Sequence, residues 1–192
     1  MQVFHSIRLA LLASFAGWLI QCPVSAAEPD SQPIPTYSVV VQDIDYYPIY
    51  KADLASNEYS GYLRDLMDAF AAAEAIRFEY KVRPVRRMIW EYTRGLYDFA
   101  LPDHPNWNKS EKLGMELSYS APVAEYHFRN LDATGRFETA AHLLPVSLSS
   151  YHLSSARHPD IIDALADFLE QNPETPQQLQ EKYRFPALPS GD

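Results

Sequence analysis

Between Tyr37 and Leu101 the chain alternates between two hydrophobic periods, and that alternation limits its folds more than any other feature. Tyr37–Gln42 (YSVVVQ) is a short β-branched run and reads as a buried strand. From Gly61 the pattern turns helical: Leu63, Leu66, Met67 and Phe70 fall at i, i+3, i+4 and i+7, and Ala71–Ala73 extend the run with strong helix formers. Ile76–Val82 (IRFEYKV) alternates apolar and charged residues, as a strand with one covered face does. Pro84 suits a first helical turn, Val85, Met88, Ile89 and Tyr92 repeat the helical spacing, and Gly95 is a natural stop. Tyr97–Leu101 then reads as a third strand. Strand, helix, strand, helix, strand predicts a parallel sheet with crossover helices. The polar, aromatic stretch from Asp43 to Asn57 reads as a loop.

The C-terminal part is patterned differently. Leu143–Tyr151 is a further strand, and Pro159 opens a helix with Ile161, Ala164, Leu165 and Phe168 on one face. Thr175-Pro176 reads as the N-cap and first turn of a last short helix carrying Leu179 and Tyr183.

The first residues have the three parts of a secretory signal peptide: Arg8, the apolar run Leu9–Ile20, and the small residues Val24-Ser25-Ala26-Ala27. The apolar run is short for a membrane span. Export to the periplasm follows as an expectation. Cys22 is the only cysteine, and Gln21 before it is too large and polar for a lipidation site. Cleavage after Ala27 leaves no thiol for a disulfide or a metal. It also removes one base and no acid, so a formal charge of −9 becomes one unit more negative. Such a chain is repelled by nucleic acid and by anionic lipid surfaces. With 47% hydrophobic and 21% charged residues, it can bury a core and is not a disordered chain.

Four motifs follow one another in order. They are Asp45-Tyr46-Tyr47-Pro48-Ile49-Tyr50, then Gly61-Tyr62-Leu63-Arg64-Asp65-Leu66, then Gly95-Leu96-Tyr97-Asp98-Phe99, and last Tyr119-Ser120-Ala121-Pro122-Val123. The set resembles the extracellular solute-binding proteins of the polar amino-acid ABC-importer type. The resemblance implies an α/β, periplasmic-binding-protein-like fold, in which a first lobe is split in sequence by an inserted second lobe and ligand lies between them. Here too few residues separate the two pieces to make a domain, so a single lobe is expected. The expected division is signal peptide 1–27, leader 28–36, N-terminal part of the lobe 37–125, a stub at 126–143, C-terminal part 144–185 and tail 186–192.

The resemblance also nominates site residues. Tyr47 and Tyr50, in the aromatic-Pro loop, either wall a ligand or cap the sheet edge. Asp65 matches the helix-opening aspartate and Asp98 the Gly-x-Tyr-Asp position, each with a structural alternative, a cap for Asp65. Relatives that bind amino acids place an arginine shortly before the last motif. Here Lys109 and Lys112 stand there, point charges without the planar fork, and a solvated surface role is the plainer expectation for both. His104 and Trp107 lie in a loop after the third strand, where ligands of open parallel sheets collect. Arg86 and Arg87 are expected to face solvent.

Enzyme chemistry has little to stand on. There is no Gly-x-Ser-x-Gly, no Gly-rich phosphate loop, and the histidines show no metal-ligand spacing. The expectation is a non-catalytic protein without cofactor or metal. It would bind a small polar solute, such as an amino acid, for uptake or sensing, with an inner-membrane transporter or sensor as partner, or be a degenerate remnant of such a binder. The alternative is a single-lobe interaction or scaffold protein, using Tyr46, Tyr47, Tyr50, Trp107 and Tyr119 as a partner site.

Overall fold

A computed structural model describes residues 33–128 and 147–184. The expected signal peptide and C-terminal tail lie outside the described residues, as does most of the stretch assigned to a stub. No described helix is long and apolar enough to cross a membrane.

The strands and helices run β1 (Thr36–Gln42), β2 (Asp45–Tyr46), β3 (Tyr50–Asp53), β4 (Glu58–Ser60), α1 (Tyr62–Ala73), β5 (Arg77–Arg83), α2 (Val85–Tyr92) and β6 (Phe99–Asp103). They continue with β7 (Ser118–Tyr119), β8 (Ala124–Phe128), β9 (Ser147–Ser155), α3 (Pro159–Gln171) and α4 (Glu174–Tyr183). The main sheet has the order β5-β1-β6-β9-β7. β1 pairs parallel with β5 and with β6, as the alternating periods predict. β9 runs antiparallel to β6 and carries β7 on its other side, and its first half pairs with β8 from Ala124↔Tyr151 to Phe128↔Ser147.

The period of two in β1 divides the core. Val39 and Val41 face one side and Val40 the other. The apolar stripe of α1 (Leu63, Leu66, Met67, Phe70) packs on the Val41 side with Ile162, Leu165 and Phe168 of α3. Each such side chain contributes about 1.5–3 kcal/mol by leaving water. The C-terminal helices therefore share the core of the sheet that β1 begins. α2 covers the other side, placing Met88 and Tyr92 over Val40 and Ala100. It ends at Gly95, whose φ of 72° and N–H to the Tyr92 carbonyl (2.8 Å) terminate the helix.

The Asp43–Asn57 segment is not simply a loop. β2, β3 and β4 form a separate antiparallel sheet. It binds the start of α1: the Pro48 and Ile49 carbonyls accept the N–H groups of Tyr62 and Leu63 (3.0 and 2.9 Å). These main-chain bonds satisfy donors that a helix start leaves open, and no side chain caps α1. The approach requires Gly61, at φ 106°, because a Cβ there would lie 2.8 Å from Tyr50 Cα. The same segment protects an edge. Asn57 accepts the Val82 N–H (3.0 Å) and donates to the Tyr80 carbonyl (3.2 Å), occupying groups on the outer strand β5.

Two local expectations are corrected. The strand expected at Leu143–Tyr151 is β9, Ser147–Ser155, because its pairing with β6 and β7 uses Ser154 and Ser155. Thr175 is not an N-cap, since α4 begins at Glu174, after Pro173.

Candidate functional site

The parallel strands β1, β5 and β6 end at Gln42, Arg83 and Asp103, and this common edge carries His104, Trp107 and Lys112 of the nominated residues. β9 arrives there in the opposite sense, bringing His152 beside Asp103.

The edge is built on a buried polar network. Asp103 accepts from Lys112 Nζ through Oδ1 and from the Ser154 hydroxyl through Oδ2 (2.6 Å), and Ser154 Oγ in turn pairs with the Tyr92 hydroxyl at 2.9 Å. Lys112 Nζ also donates to the His104 carbonyl and the Tyr119 hydroxyl, each at 3.2 Å. Lys112 is thus not a solvated surface lysine. It is 7% exposed, and the three hydrogens of its ammonium meet three acceptors. Burial also raises the Tyr119 phenol well above its ordinary range, Asp103 adding to the effect.

Above this network runs a continuous row of rings. Tyr119 meets His152 at 6.4 Å between centroids, His152 meets His104 at 5.6 Å, and His104 meets Trp107 at 5.6 Å. Trp107 meets Tyr151 at 5.8 Å, and Tyr151 meets Tyr50 at 5.9 Å. His104, Trp107, Tyr119 and His152 are half-buried, so the row presents ring surface to the outside. Each histidine is oriented. His104 Nδ1 accepts the Asn106 N–H (3.0 Å), which leaves the proton of its neutral form on Nε2. His152 Nδ1 faces the Ser120 carbonyl (2.7 Å), an acceptor only, so this nitrogen carries hydrogen, and Nε2 meets the Ser150 hydroxyl at 2.8 Å. Burial lowers the His104 pKa, and the neighbouring His152 lowers it further. Among the described residues no three metal-ligating side chains come together. The row offers flat apolar faces with hydrogen-bonding tips.

The other nominated residues lie apart from the row or beneath it. Tyr50 is 1% exposed, so it supports the row from within the core and offers no ring to the outside. Tyr47 is 64% exposed and leans on Tyr183 of α4 (6.2 Å). Asp65 caps nothing with its side chain. Its Oδ2 accepts from Lys182 Nζ (2.6 Å) and the Tyr183 hydroxyl (2.8 Å), tying α1 to α4. Burial raises its pKa, but those two donors outweigh it and the net shift is downward. Asp98 stands at the opposite end of β6. It accepts the Ser38 N–H (2.8 Å) and hydroxyl (2.7 Å), Arg157 (2.7 Å) and His158 (3.3 Å). Burial again raises the pKa and these bonds lower it overall.

His152, Tyr151 and Ser120 complete the edge and were not nominated from sequence. Their sequence signal was the Tyr-His pair in the middle of β9, together with the Tyr-Ser-x-Pro motif.

No family model matches the sequence, and no curated protein matches it. Solved structures do. An ancestral arginine-binding protein bound to glutamine aligns with a TM-score of 0.55 at 12% identity, covering 79% of this chain and 99% of that one. The L-cystine solute receptor of Neisseria gonorrhoeae aligns at 0.54 and 11% identity, covering 78% and 92%. A Salmonella typhimurium periplasmic binding protein with high arginine specificity aligns at 0.52 and 14% identity, covering 78% and 99%. These solved neighbours are binding proteins. At such identities the likeness shows the fold: a mostly parallel sheet flanked by helices, of the periplasmic-binding-protein type.

Proposed function

We propose that this chain is an exported, non-catalytic solute-binding protein, and that it holds a small polar solute reversibly against the ring row at the C-terminal edge of its parallel strands. The observation that carries the reading is the half-buried sequence of Tyr119, His152, His104 and Trp107 at that edge. Open α/β sheets collect ligands there, and rings with polar tips suit an amino acid or a related compound. His104, Trp107 and His152 are the residues in contact, and Tyr50, Asp103 and Lys112 hold them in place. Solved proteins of the same fold bind arginine, glutamine or cystine, which favours an amino acid among polar solutes. A transporter or sensor in the inner membrane would receive the solute.

In this proposal the solute faces one lobe. β8 and β9 stay paired up to Phe128↔Ser147, so the chain leaves and re-enters at one place, and the residues between are too few for a domain. One lobe gives one wall, so binding would be weaker than in a closing clamp.

The test is thermal unfolding across a panel of amino acids, amines and small acids. A ligand that binds only the folded chain raises its melting temperature in proportion to RT ln(1 + [L]/Kd). The reading expects at least one solute to do so in the wild type and to lose the effect in Trp107→Ala. A flat response to the whole panel refutes it.

A second reading has an observation of its own. Tyr46 and Tyr47 are neighbouring exposed rings, which suits a protein partner in place of a solute. Tyr50, fully buried, is not part of that patch.

A further inference from the structure

A second surface lies on the outer side of α2, the helix covering the Val40 face of the sheet. Val85, Arg86, Arg87, Trp90, Arg94 and Glu111 are among the residues around a groove of about 620 Å³. Trp90 is 54% exposed, a large ring left in water. The Arg94 guanidinium lies over it, 4.0 Å from the centroid, and donates to the Trp90 carbonyl at 3.0 Å. Arg87 is paired with Glu91 (2.6 Å), a carboxylate turned inward to Arg83 and Tyr97. Arg86, one helical turn before Trp90, makes no ion pair among the described residues. This surface is cationic and aromatic on a chain whose formal charge is −9. Exposed arginine and tryptophan side by side are the residue types that dominate binding energy at interfaces.

The complementary surface is on the same chain. α3 exposes Asp160, Asp163, Asp167 and Glu170, alternately three and four residues apart and so on one face. α3 packs on the Val41 side of the sheet and α2 on the Val40 side, so the two surfaces point away from each other within one molecule. Only two copies can bring them together.

We propose that the α2 surface docks the acidic face of α3 from a second copy of this chain. Trp90 and Val85 give the contact its apolar centre, and Arg86 and Arg94 its pairing with Asp163 and Asp167. The contact joins unlike surfaces, so it is head-to-tail and extends beyond a dimer unless rotation closes a ring. The like net charges of two copies oppose it at long range. At physiological ionic strength that repulsion is screened beyond about 8 Å, and short-range pairs are screened less.

The experiment is sedimentation of the full chain over a wide range of concentration at physiological salt. The weight-average mass is expected to rise above the monomer value with concentration. Arg86→Glu/Arg94→Glu alone, and Asp163→Arg/Asp167→Arg alone, should each stay monomeric while still unfolding cooperatively, the first with a slightly lowered melting temperature because Arg94 leaves the Trp90 ring. Mixing the two variants should restore association, because each now offers the charge the other requires. A monomeric wild type overturns the proposal, also where the same surface is found to bind a glutamate-rich peptide or anionic vesicles. So does self-association that both reversals leave untouched.

Discussion

The two ends of β6 are built on opposite plans. At its start Asp98 gathers Ser38, Arg157 and His158 around one carboxylate, and the bonds among these groups make that end a clamp. At its far end Asp103 does the same below the surface, with Lys112 and Ser154, but above it His104, Trp107 and His152 turn ring faces outward. A site needs both layers: groups that satisfy one another and fix the geometry, then groups whose faces are left for something else. The start of β6 shows only the first layer: Asp98 spends its carboxylate on Ser38, Arg157 and His158 of its own fold.

The largest effect should come from the support layer at the far end. Asp103→Ala strands the Lys112 ammonium in the interior and should destabilise the fold by about 3–5 kcal/mol in urea unfolding. Adding Lys112→Met should recover most of that loss, since the stranded charge is then gone. If Asp103→Ala costs no more than Asp98→Ala, the two ends do not differ as described. Asp98→Ala breaks charge-assisted bonds that are partly open to solvent, and a loss of about 1–3 kcal/mol is expected. That loss should leave any solute response intact. The Asp98 pKa is lowered by folding, so its stabilisation is full above the ordinary value of 3.8 and disappears as pH falls below it.

Trp107→Ala removes a half-buried ring and should cost only about 1 kcal/mol of stability, yet it should abolish the solute-dependent rise in melting temperature. The smallest effect is the pH response of His104. Its folded pKa lies below its ordinary 6.5, so the unfolded chain binds the proton more readily. Stability should therefore fall as pH drops from above 6.5 towards the lowered value and level off below it. His104→Asn should remove that part of the pH dependence.

The lobe was legible where burial follows a period. Val39–Val41, the Leu63–Phe70 stripe and Met88–Tyr92 all lie where their spacing puts them. The small sheet β2–β4 escaped because its strands are two to four residues long and owe their form to Gly61 and the carbonyls that α1 uses. The site was only half legible. His104 and Trp107 could be nominated because they follow a strand end, but His152 reaches them only through the antiparallel return of β9. Tyr50 stayed open between a ligand wall and a sheet-edge cap because its neighbour Tyr151 is far away in sequence, and Lys112 was misjudged as solvated because Asp103 and Tyr119 converge on it only in three dimensions.

The two tryptophans of the described fold, Trp90 and Trp107, allow the most direct test. Their indole N–H signals, assigned by Trp→Phe replacement, can be followed by NMR as solutes from the panel are added. The account predicts that the solute that raises the melting temperature shifts the Trp107 signal, saturably, and leaves Trp90 in place. A stabilising solute that moves only Trp90, or neither signal, would contradict a site at the end of β6.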